Sequence, residues 1–377
     1  MRVAIVINTS WNIWNFRRNL VRALQGAGHQ VLAIAPPDAY SQRLVTELGC
    51  EFVPVEMENK GTNPVQDALL TKRFYDAYRR HRPDVVLQYT IKPNIYGTLA
   101  AKLAGVPSVN NVSGLGTVFI VQNFVSRVAL ALYKFAFQFP YRVFFQNDDD
   151  RQLFLQHGLV REAVTDLVPG SGIDTATYRP NPDAPVRHEP FVFLMIARVL
   201  YEKGVQEYFE AAKAVRAQVP GTRFQLLGGI DESGGVGVKR AVFEEWLKEG
   251  HVEYLGTSDD VPGHIHQANS VVLPSYREGT PKTLLEAAAL GKPLVTTDVP
   301  GCRETVIDGQ NGYLCQVRSA DDLAAKLLQV LRLPEADLRR MGQASRQLAV
   351  EKFDEQLVLQ KYLRTVEEIG RKQAIRR

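Results

Sequence analysis

Residues 270–298, SVVLPSYREGTPKTLLEAAALGKPLVTTD, contain the stretch that decides the fold. The apolar run SVVLP is typical of a buried strand, and KPLVTTD is typical of a second strand after the helical pattern between them. Thr280 suits the N-cap of that helix, and Pro281 suits its first helical position. A strand, a helix and a second strand form a β-α-β unit, so this stretch predicts a parallel sheet.

The same alternation of apolar runs and helical patterns continues through both halves of the chain. It begins with VAIVI, which precedes a helix carrying Phe16, Leu20 and Leu24, and it starts again at PFVFLMIARV. The length of 377 residues exceeds the ~250–300 residues at which a single core stops growing. We therefore predict an α/β protein with two doubly wound, Rossmann-like domains and a cleft between them.

The proline-rich segment YRPNPDAPVRHEP, residues 178–190, is predicted to link these halves. We expect the first domain to span residues 1–180 and the second to span residues 188–355. Residues 356–377 are expected to form a helix that packs back on the first domain.

The charge distribution argues against a nucleic-acid-binding protein. The formal net charge is +4, and residues 1–187 hold 20 Lys+Arg against 15 Asp+Glu. This basic excess suits an anionic partner for the first half, but it is too small for nucleic acid. Uncharged runs are too short for a membrane span, so we expect any membrane contact to be peripheral. The three cysteines lack a CxxC spacing and indicate free thiols in a reducing compartment.

The loop and helix after SVVLP are the strongest candidate site, because ligands of doubly wound sheets bind beyond the carboxyl ends of the strands. The amides of Lys282, Thr283 and Leu284 are predicted to be free at the helix N-terminus and to hold a phosphate. Glu286 lies about one and a half turns further along the helix, and Glu278 lies on the loop before it. The alternative interpretation is a surface helix whose glutamates are solvated.

Residues 274–306, PSYREGTPKTLLEAAALGKPLVTTDVPGCRETV, resemble the signature of retaining family-4 glycosyltransferases of the GT-B fold. The segments IKPNIYGTLAAKLAGVP, NNVSGLGTVF and VPGSGID extend the similarity over most of the chain. The similarity is to bacterial enzymes, including N-acetylgalactosaminyltransferases, that build capsule, O-antigen or protein-linked glycans on undecaprenyl diphosphate. Such relatives use UDP-sugars and need no catalytic metal.

The resemblance also implies roles for individual residues. Glu278 would contact the donor sugar and Glu286 the ribose, while Arg198 and Lys203 of IARVLYEKG would stabilise the charge on the leaving diphosphate. Gly228 and Gly229 of LLGGID allow a ligand to approach the backbone, or they simply form a tight turn. The donor-binding residues that the resemblance implies are Glu286, Gly279, Thr280, Pro281, Lys282, Thr283, Gly228, Gly229 and Ser113.

Two places depart from the family pattern. Ser113 stands where many members have a histidine, which leaves open the residue that contacts the donor sugar. The first loop, NTSWNIWNF, lacks the usual paired glycines, and its Trp11 and Trp14 either shape an acceptor pocket or pack in the core.

Two further segments each allow two interpretations. Asp148 and Asp150 imitate a DxD metal site, but their position before a helical pattern favours capping. Residues 124–145 combine aromatic residues with Arg127, Lys134 and Arg142, which fits an interfacial helix and equally an ordinary core helix and strand.

The resulting functional prediction is a hexosyltransferase at the cytoplasmic face of the inner membrane. It would move an N-acetylhexosamine or hexose from a UDP-sugar to an undecaprenyl-diphosphate-linked saccharide, without a cofactor or metal and in peripheral contact with anionic lipid. A UDP-sugar 2-epimerase of the same fold would form product without any lipid acceptor. A non-catalytic nucleotide-sugar-binding protein would bind UDP but release none from a UDP-sugar.

Overall fold

The computed structural model describes residues 1–58, 63–114, 124–230 and 237–376. The chain divides into two compact units. Unit 1 comprises Met1–Ser171 and Gln356–Arg377, and unit 2 comprises Gly172–Glu355. The division falls before the proline-rich segment 178–190, which lies within unit 2.

The early division has a backbone cause. Ile173 donates its N–H to the Phe353 carbonyl at 2.9 Å, and Glu355 donates to the Ile173 carbonyl at 3.0 Å. Gly172 adopts a φ of +72°, and a Cβ added there would lie 2.4 Å from the Cα of Glu355. Residues 172–175 are therefore part of unit 2 before the prolines begin.

Unit 1 contains a parallel sheet whose described strands have the order β3-β2-β1-β4-β5-β6-β7. The strands are β1 (Arg2–Val6), β2 (Gln30–Ala35), β3 (Glu51–Pro54), β4 (Val85–Tyr89), β5 (Ser108–Val112), β6 (Arg142–Phe145) and β7 (Thr165–Leu167). Their helices are α1 (Ser10–Phe16), α2 (Arg18–Gly26), α3 (Ser41–Thr46), α4 (Pro64–His81), α5 (Thr98–Ala104), α6 (Phe124–Ala136) and α7 (Asp148–Gln156). A π-helical turn, Pro93–Gly97, precedes α5, and a 3₁₀ turn, Glu162–Val164, precedes β7.

Unit 2 repeats this design with the strand order β10-β9-β8-β11-β12-β13 among its described residues. The strands are β8 (Val192–Ile196), β9 (Arg223–Leu227), β10 (Glu253–Tyr254), β11 (Ser270–Leu273), β12 (Leu294–Thr297) and β13 (Gly312–Cys315). The helices are α8 (Val205–Gln218), α9 (Arg240–Lys248), α10 (Val261–Gln267), α11 (Lys282–Ala289), α12 (Ala320–Leu331) and α13 (Glu335–Lys352). The 3₁₀ turns Tyr201–Lys203 and Arg303–Thr305 lie in its loops.

A last helix, α14 (Glu355–Arg376), returns the chain to unit 1. Its Tyr362 is buried, with its ring centroid 4.9 Å from that of Phe144 and 6.2 Å from that of Tyr89. The hydroxyl of Tyr362 accepts a hydrogen bond of 2.9 Å from the Asn111 side chain. The burial of Tyr362 against Phe144 and Tyr89 explains why these final residues belong to unit 1.

The strand periodicity explains the cores on both faces of each sheet. In β1, Val3 and Ile5 face one buried cluster, whereas Ala4 and Val6 face another. All strand pairs described in both units are parallel, for example Ile5 with Ala33 and Leu194 with Gln225. The predicted α/β fold with two doubly wound sheets is therefore confirmed. The single helix expected after VAIVI is two helices, α1 and α2, because Arg17 leaves helical geometry between them.

Candidate functional site

The strand order of unit 2 reverses between β8 and β11, which are adjacent in the sheet. Ligands of open α/β sheets bind outside the carboxyl ends of the strands at such a reversal. The loops that leave this point are residues 197–204 after β8 and residues 274–281 after β11. They carry six of the twelve site residues predicted from the sequence, namely Arg198, Lys203, Glu278, Gly279, Thr280 and Pro281.

The charged centre of these loops is an ion pair between Lys203 and Glu278. The Lys203 Nζ lies 2.5 Å from the Glu278 Oε1, and the two side chains are 18% and 16% exposed. Because both groups are largely shielded from water, their attraction is stronger than that of a surface pair. The sequence selected both residues but did not predict that they contact each other.

Backbone contacts hold the two loops together behind this pair. The carbonyl of Glu202 accepts hydrogen bonds from the Ser275 hydroxyl at 3.0 Å and from the Tyr276 N–H at 2.8 Å. Gly204 has a φ of +72°, and a Cβ there would lie 2.1 Å from the Pro274 carbonyl oxygen. Only glycine fits this position, because it needs both a left-handed backbone and close approach to another strand end.

Gly228 and Gly229 support the same loop from the neighbouring strand. Gly228 has a φ of +152°, and a Cβ there would lie 1.9 Å from the Ala197 carbonyl oxygen. Gly229 accepts a 2.9 Å hydrogen bond from the Val199 N–H. The close approach that Gly228 allows is therefore to the chain's own backbone beside Arg198. Arg198 itself is exposed at the start of the loop.

The start of α11 differs from the sequence prediction. The helix begins at Lys282, and its N-cap is Pro281, with an extended ψ of 112° and no side-chain capping bond. Thr280 is therefore not the N-cap. The Leu284 amide is not free either, because it donates to the Pro281 carbonyl at 3.0 Å. The amides of Lys282 and Thr283 lie in the first turn, where a helix offers its N–H groups to a ligand.

Glu286 lies in α11 and is buried, with 6% of its surface exposed. The Tyr178 hydroxyl donates to its Oε1 at 3.3 Å, and the Lys282 Nζ lies 3.7 Å from the same oxygen. Burial raises the pKa of the Glu286 carboxyl, and the nearby Lys282 ammonium opposes this shift. Tyr178 was missed because its position, far from Glu286 in the sequence, has no local signal.

A glycine of the segment DVPG supports the loop that carries Glu278. Gly301 has a φ of +84°, and a Cβ there would lie 2.3 Å from the Glu278 carbonyl oxygen and 2.5 Å from that of Gly279. The Glu278 amide also donates to the Pro300 carbonyl at 3.1 Å. The backbone of residues 278–279 therefore packs against the backbone of Pro300 and Gly301, and Gly279 is buried.

The other residues selected from the sequence, Ser113, Trp11 and Trp14, belong to unit 1. Ser113 is half-buried just after β5. Residues 115–123, which include the last five residues of NNVSGLGTVF, lie outside the described residues. Trp14 is 8% exposed, and Arg43 lies 4.0 Å above its ring, so this tryptophan packs in the core. Trp11 is 45% exposed.

The stretch 124–145 contains helix α6 and strand β6, and an interfacial role for α6 stays a prediction. Helix α6 buries Tyr133 against Phe137, with ring centroids 5.0 Å apart. Its Phe135 is 54% exposed, and Arg127 and Lys134 are exposed as well. Arg142 belongs instead to β6, where its guanidinium lies 3.7 Å from the Glu368 carboxylate.

The aspartates of NDDDR occupy the first turn of α7. Asn147 is the N-cap, and its side chain accepts the Asp150 N–H at 2.8 Å. Asp150 is fully buried and accepts a hydrogen bond from the Asn147 side chain at 3.2 Å. Asp148 and Asp150 therefore belong to the helix terminus, although the capping side chain is Asn147. Within the described residues, no cluster of three or more His, Cys, Asp or Glu has metal-binding geometry.

Two parallel sheets of Rossmann-like strand order are the architecture of the GT-B fold. Residues 13–170 match the family "Glycosyl transferase 4-like domain", and residues 181–348 match "Glycosyl transferases group 1". The chain belongs to this glycosyltransferase family.

Individual relatives agree with this assignment. The chain is 30% identical to the N,N'-diacetylbacillosaminyl-diphospho-undecaprenol alpha-1,3-N-acetylgalactosaminyltransferase of Campylobacter jejuni, over 98% of this chain and 99% of the relative. It is 24% identical to the UDP-Gal:alpha-D-GlcNAc-diphosphoundecaprenol alpha-1,3-galactosyltransferase of Escherichia coli, over 74% of each chain. The crystal structure of Anabaena Alr3699/HepE in complex with UDP and glucose shares the fold. Its TM-score is 0.79 at 19% identity, and the match covers 97% of this chain and 99% of that one.

Proposed function

We propose that this glycosyltransferase moves a hexose or N-acetylhexosamine, with retention, from a UDP-sugar to an undecaprenyl-diphosphate-linked saccharide of a bacterial surface glycan. The observation that carries the proposal is the 2.5 Å contact between Lys203 and Glu278 at the strand reversal of unit 2. A glycosidic bond joins the β-phosphate to the sugar, so the groups that bind these two parts must lie side by side. The Campylobacter and Escherichia relatives act on diphospho-undecaprenol substrates, which supports the acceptor class.

The donor is proposed to lie along the start of α11. Lys203 and Arg198 would bind the diphosphate together with the first-turn amides of Lys282 and Thr283. Negative charge grows on the β-phosphate as the bond to the sugar breaks, so these cations stabilise the transition state more than the bound substrate. Glu278 would bind the sugar, whose ring gains positive character in the same step.

Glu286 is proposed to bind the ribose at the other end of the donor. Its carboxylate is buried and is oriented by Tyr178, which donates to one oxygen at 3.3 Å. The remaining acceptor positions can receive the two ribose hydroxyls. This role needs no change of charge during the reaction, so Glu286 contributes to donor binding in all states.

Unit 1 is proposed to bind the acceptor. At the carboxyl ends of β1, β4 and β5 it carries polar side chains with buried atoms that have no hydrogen-bond partner among the described residues. These atoms include Asn8 Oδ1, Thr90 Oγ1 and Asn111 Oδ1. Thr90 also has a φ of +66°, an unusual backbone for a β-branched residue. Unsatisfied polar groups at a strand reversal are suited to bind a hydroxyl-rich ligand such as a saccharide.

We further propose that the enzyme works at the cytoplasmic face of the inner membrane. Within the described residues, no helix is long and apolar enough to cross a bilayer. The exposed Phe135 and the basic residues Arg127 and Lys134 of α6 suit peripheral contact with anionic lipid. The basic excess of the first half of the chain also favours contact with anionic lipid.

The decisive experiment measures UDP release and lipid-linked product across a panel of UDP-sugars, with undecaprenyl-diphosphate-linked saccharides as acceptors. Transfer should require the lipid-linked acceptor and should persist in EDTA, because Arg198 and Lys203 would do the work of a metal. Product without acceptor would instead identify a UDP-sugar 2-epimerase. UDP binding without release under any condition would identify a binding protein. Activity lost in EDTA and restored by Mg²⁺ or Mn²⁺ would contradict metal independence.

A further inference from the structure

A ligand-sized cavity lies in unit 2, at the opposite edge of the sheet from Lys203 and Glu278. Its volume is about 330 Å³, within the range of small-molecule pockets. Asn269 and Lys292, which line it, come just before β11 and β12 and therefore lie at the amino-terminal edge. The cavity is thus separate from the proposed donor site.

The lining of this cavity is basic. Lys292, Arg339 and Arg346 contribute to it, together with the amide side chains of Gln343 and Asn269. None of the described residues that line the cavity is Asp or Glu. A cavity with several cations and no carboxylate attracts anions.

Lys292 is the central observation. It is 9% exposed, and its Nζ donates to the His266 carbonyl at 2.9 Å. Among the described residues, no carboxylate oxygen lies within ion-pair distance of this ammonium, which has two further N–H donors. Burial lowers the pKa of Lys292 to about 8, so the group is still mostly protonated at pH 7. A buried charge without a counter-ion is destabilising unless a ligand supplies one.

The neighbouring groups do not supply the missing negative charge. Burial and the nearby Lys292 lower the pKa of both His188 and His266, which favours their neutral forms. Arg346 donates to the carbonyls of Tyr178 and Ala289, at 2.6 and 3.0 Å. Its guanidinium also lies in the field of Asp354. Arg339 is exposed and lies 3.3 Å from Glu335.

We propose that this cavity binds a small anion that carries a phosphate group. A phosphate dianion has three acceptor oxygens and can take charge-assisted hydrogen bonds from an ammonium and guanidinium groups together. The volume accommodates inorganic phosphate alone or a phosphorylated monosaccharide. The shared chemistry is the phosphate, and the cavity lies away from the residues proposed for transfer.

The test is calorimetric titration of the full-length protein at pH 7 with inorganic phosphate and, separately, with a hexose 1-phosphate. Thermal unfolding in phosphate and in chloride at equal ionic strength is measured alongside. The Lys292→Met variant should lose affinity by roughly tenfold or more, because a charge-assisted hydrogen bond disappears. The Lys248→Met variant is the matched control, because it removes an exposed lysine of the same unit and does not touch the cavity.

The expected result is a phosphate-dependent rise in Tm for the parent and Lys248→Met that is absent in Lys292→Met. A second variant, Arg339→Gln, removes an exposed cation from the cavity without altering the core and should weaken binding several-fold. Tighter binding of the hexose 1-phosphate would identify a sugar phosphate as the ligand, and equal binding would identify the phosphate alone. Equal titrations for the parent, Lys292→Met and Arg339→Gln would overturn the proposal.

Discussion

The described sheets of the two units share one order for their first six strands, with β7 added in unit 1, but they differ at the carboxyl ends of their central strands. In unit 2, that edge carries an ion pair, Lys203 with Glu278, on two short loops held by glycines. In unit 1, the corresponding edge carries polar side chains with unpaired atoms, such as those of Asn8 and Asn111. Its cation Arg17 lies 4.4 Å above the ring of Tyr89, and its cation Lys92 pairs with Asp67 at 2.9 Å. The same framework therefore presents two different chemistries.

We infer from this difference that the sheet fixes the position of a binding site, whereas the loop residues determine its ligand. Charges that face a strand reversal suit a diphosphate whose charge changes during reaction. Neutral polar groups suit hydroxyls whose charge does not change. Substitutions at the two edges should therefore change different kinetic constants.

The largest effect is expected at the cations of unit 2. Lys203→Ala and Arg198→Ala should each lower kcat about a hundredfold, or about 3 kcal/mol, with a smaller change in KM. The reason is that negative charge on the β-phosphate is greater in the transition state than in the bound substrate. Steady-state kinetics with varied UDP-sugar measures both constants.

The matched control for these cations is Lys213→Ala. Lys213 lies in unit 2 and pairs with Glu249 on the surface, so its removal should leave both constants unchanged. An increase in KM alone for Lys203→Ala and Arg198→Ala would assign these residues to simple docking and remove the contrast between the units.

The two glutamates of unit 2 should separate donor binding from transfer. Glu286→Ala should weaken the binding of UDP itself by roughly tenfold or more, because the carboxylate that accepts hydrogen bonds from the ribose is lost. Glu278→Gln should leave UDP affinity nearly unchanged and depress transfer, because its partner is the sugar. Calorimetry with UDP beside turnover assays measures the split. Loss of UDP binding in Glu278→Gln but not in Glu286→Ala would reverse the two roles.

Lys292 tests whether every buried cation of unit 2 serves transfer. Its pKa of about 8 lies below its ordinary value of 10.5, so between these values the folded state holds fewer protons than the unfolded state. Stability of the parent should therefore rise as the pH rises from about 8 to 10.5. Lys292→Met should remove this slope and, without phosphate, stabilise the protein at pH 7 by on the order of 2 kcal/mol. Denaturant unfolding at several pH values measures both effects. A stability of the parent that falls between pH 8 and 10.5, or a Lys292→Met variant that is less stable than the parent at pH 7, would contradict this prediction.

Asn8 tests the neutral polar groups at the carboxyl ends of the unit 1 strands. Asn8→Ala should raise the KM for the lipid-linked acceptor several-fold, because one hydrogen bond to a neutral hydroxyl contributes about 1 kcal/mol. UDP affinity should stay at the parent value. Turnover at varied acceptor concentration measures the KM, and calorimetry with UDP measures the UDP affinity. A weaker UDP complex with an unchanged acceptor KM would place the donor in contact with unit 1.

The smallest effect is expected at the surface of α6. Replacing Arg127 and Lys134 with Gln should each weaken binding to anionic vesicles by about 1 kcal/mol at low salt. Arg142→Gln is the internal control, since that guanidinium lies beside Glu368. Co-sedimentation at low and high salt measures the partition. Equal partition of all three variants with the parent would argue that α6 is an ordinary surface helix.

Much of the fold was predictable because strand and helix periods are local properties. The alternation around VAIVI and SVVLP predicted parallel β-α-β units, and both sheets have that form. Local patterns were less reliable at helix ends. Thr280 looked like an N-cap, yet the extended ψ of Pro281 begins the helix one residue later. Capping depends on how a loop meets its neighbours, which residue types alone do not specify.

The sequence by itself determined the class of fold, and it predicted the loops in which to look for chemistry and the candidate residues Lys203, Glu278 and Glu286. The tertiary structure alone decided that Lys203 contacts Glu278, that Tyr178 orients Glu286, and that Lys292 is buried without a carboxylate. The physical reason is distance along the chain. Periodicity and motifs report interactions within a few residues, whereas these pairings depend on which strand ends become neighbours in the folded sheet.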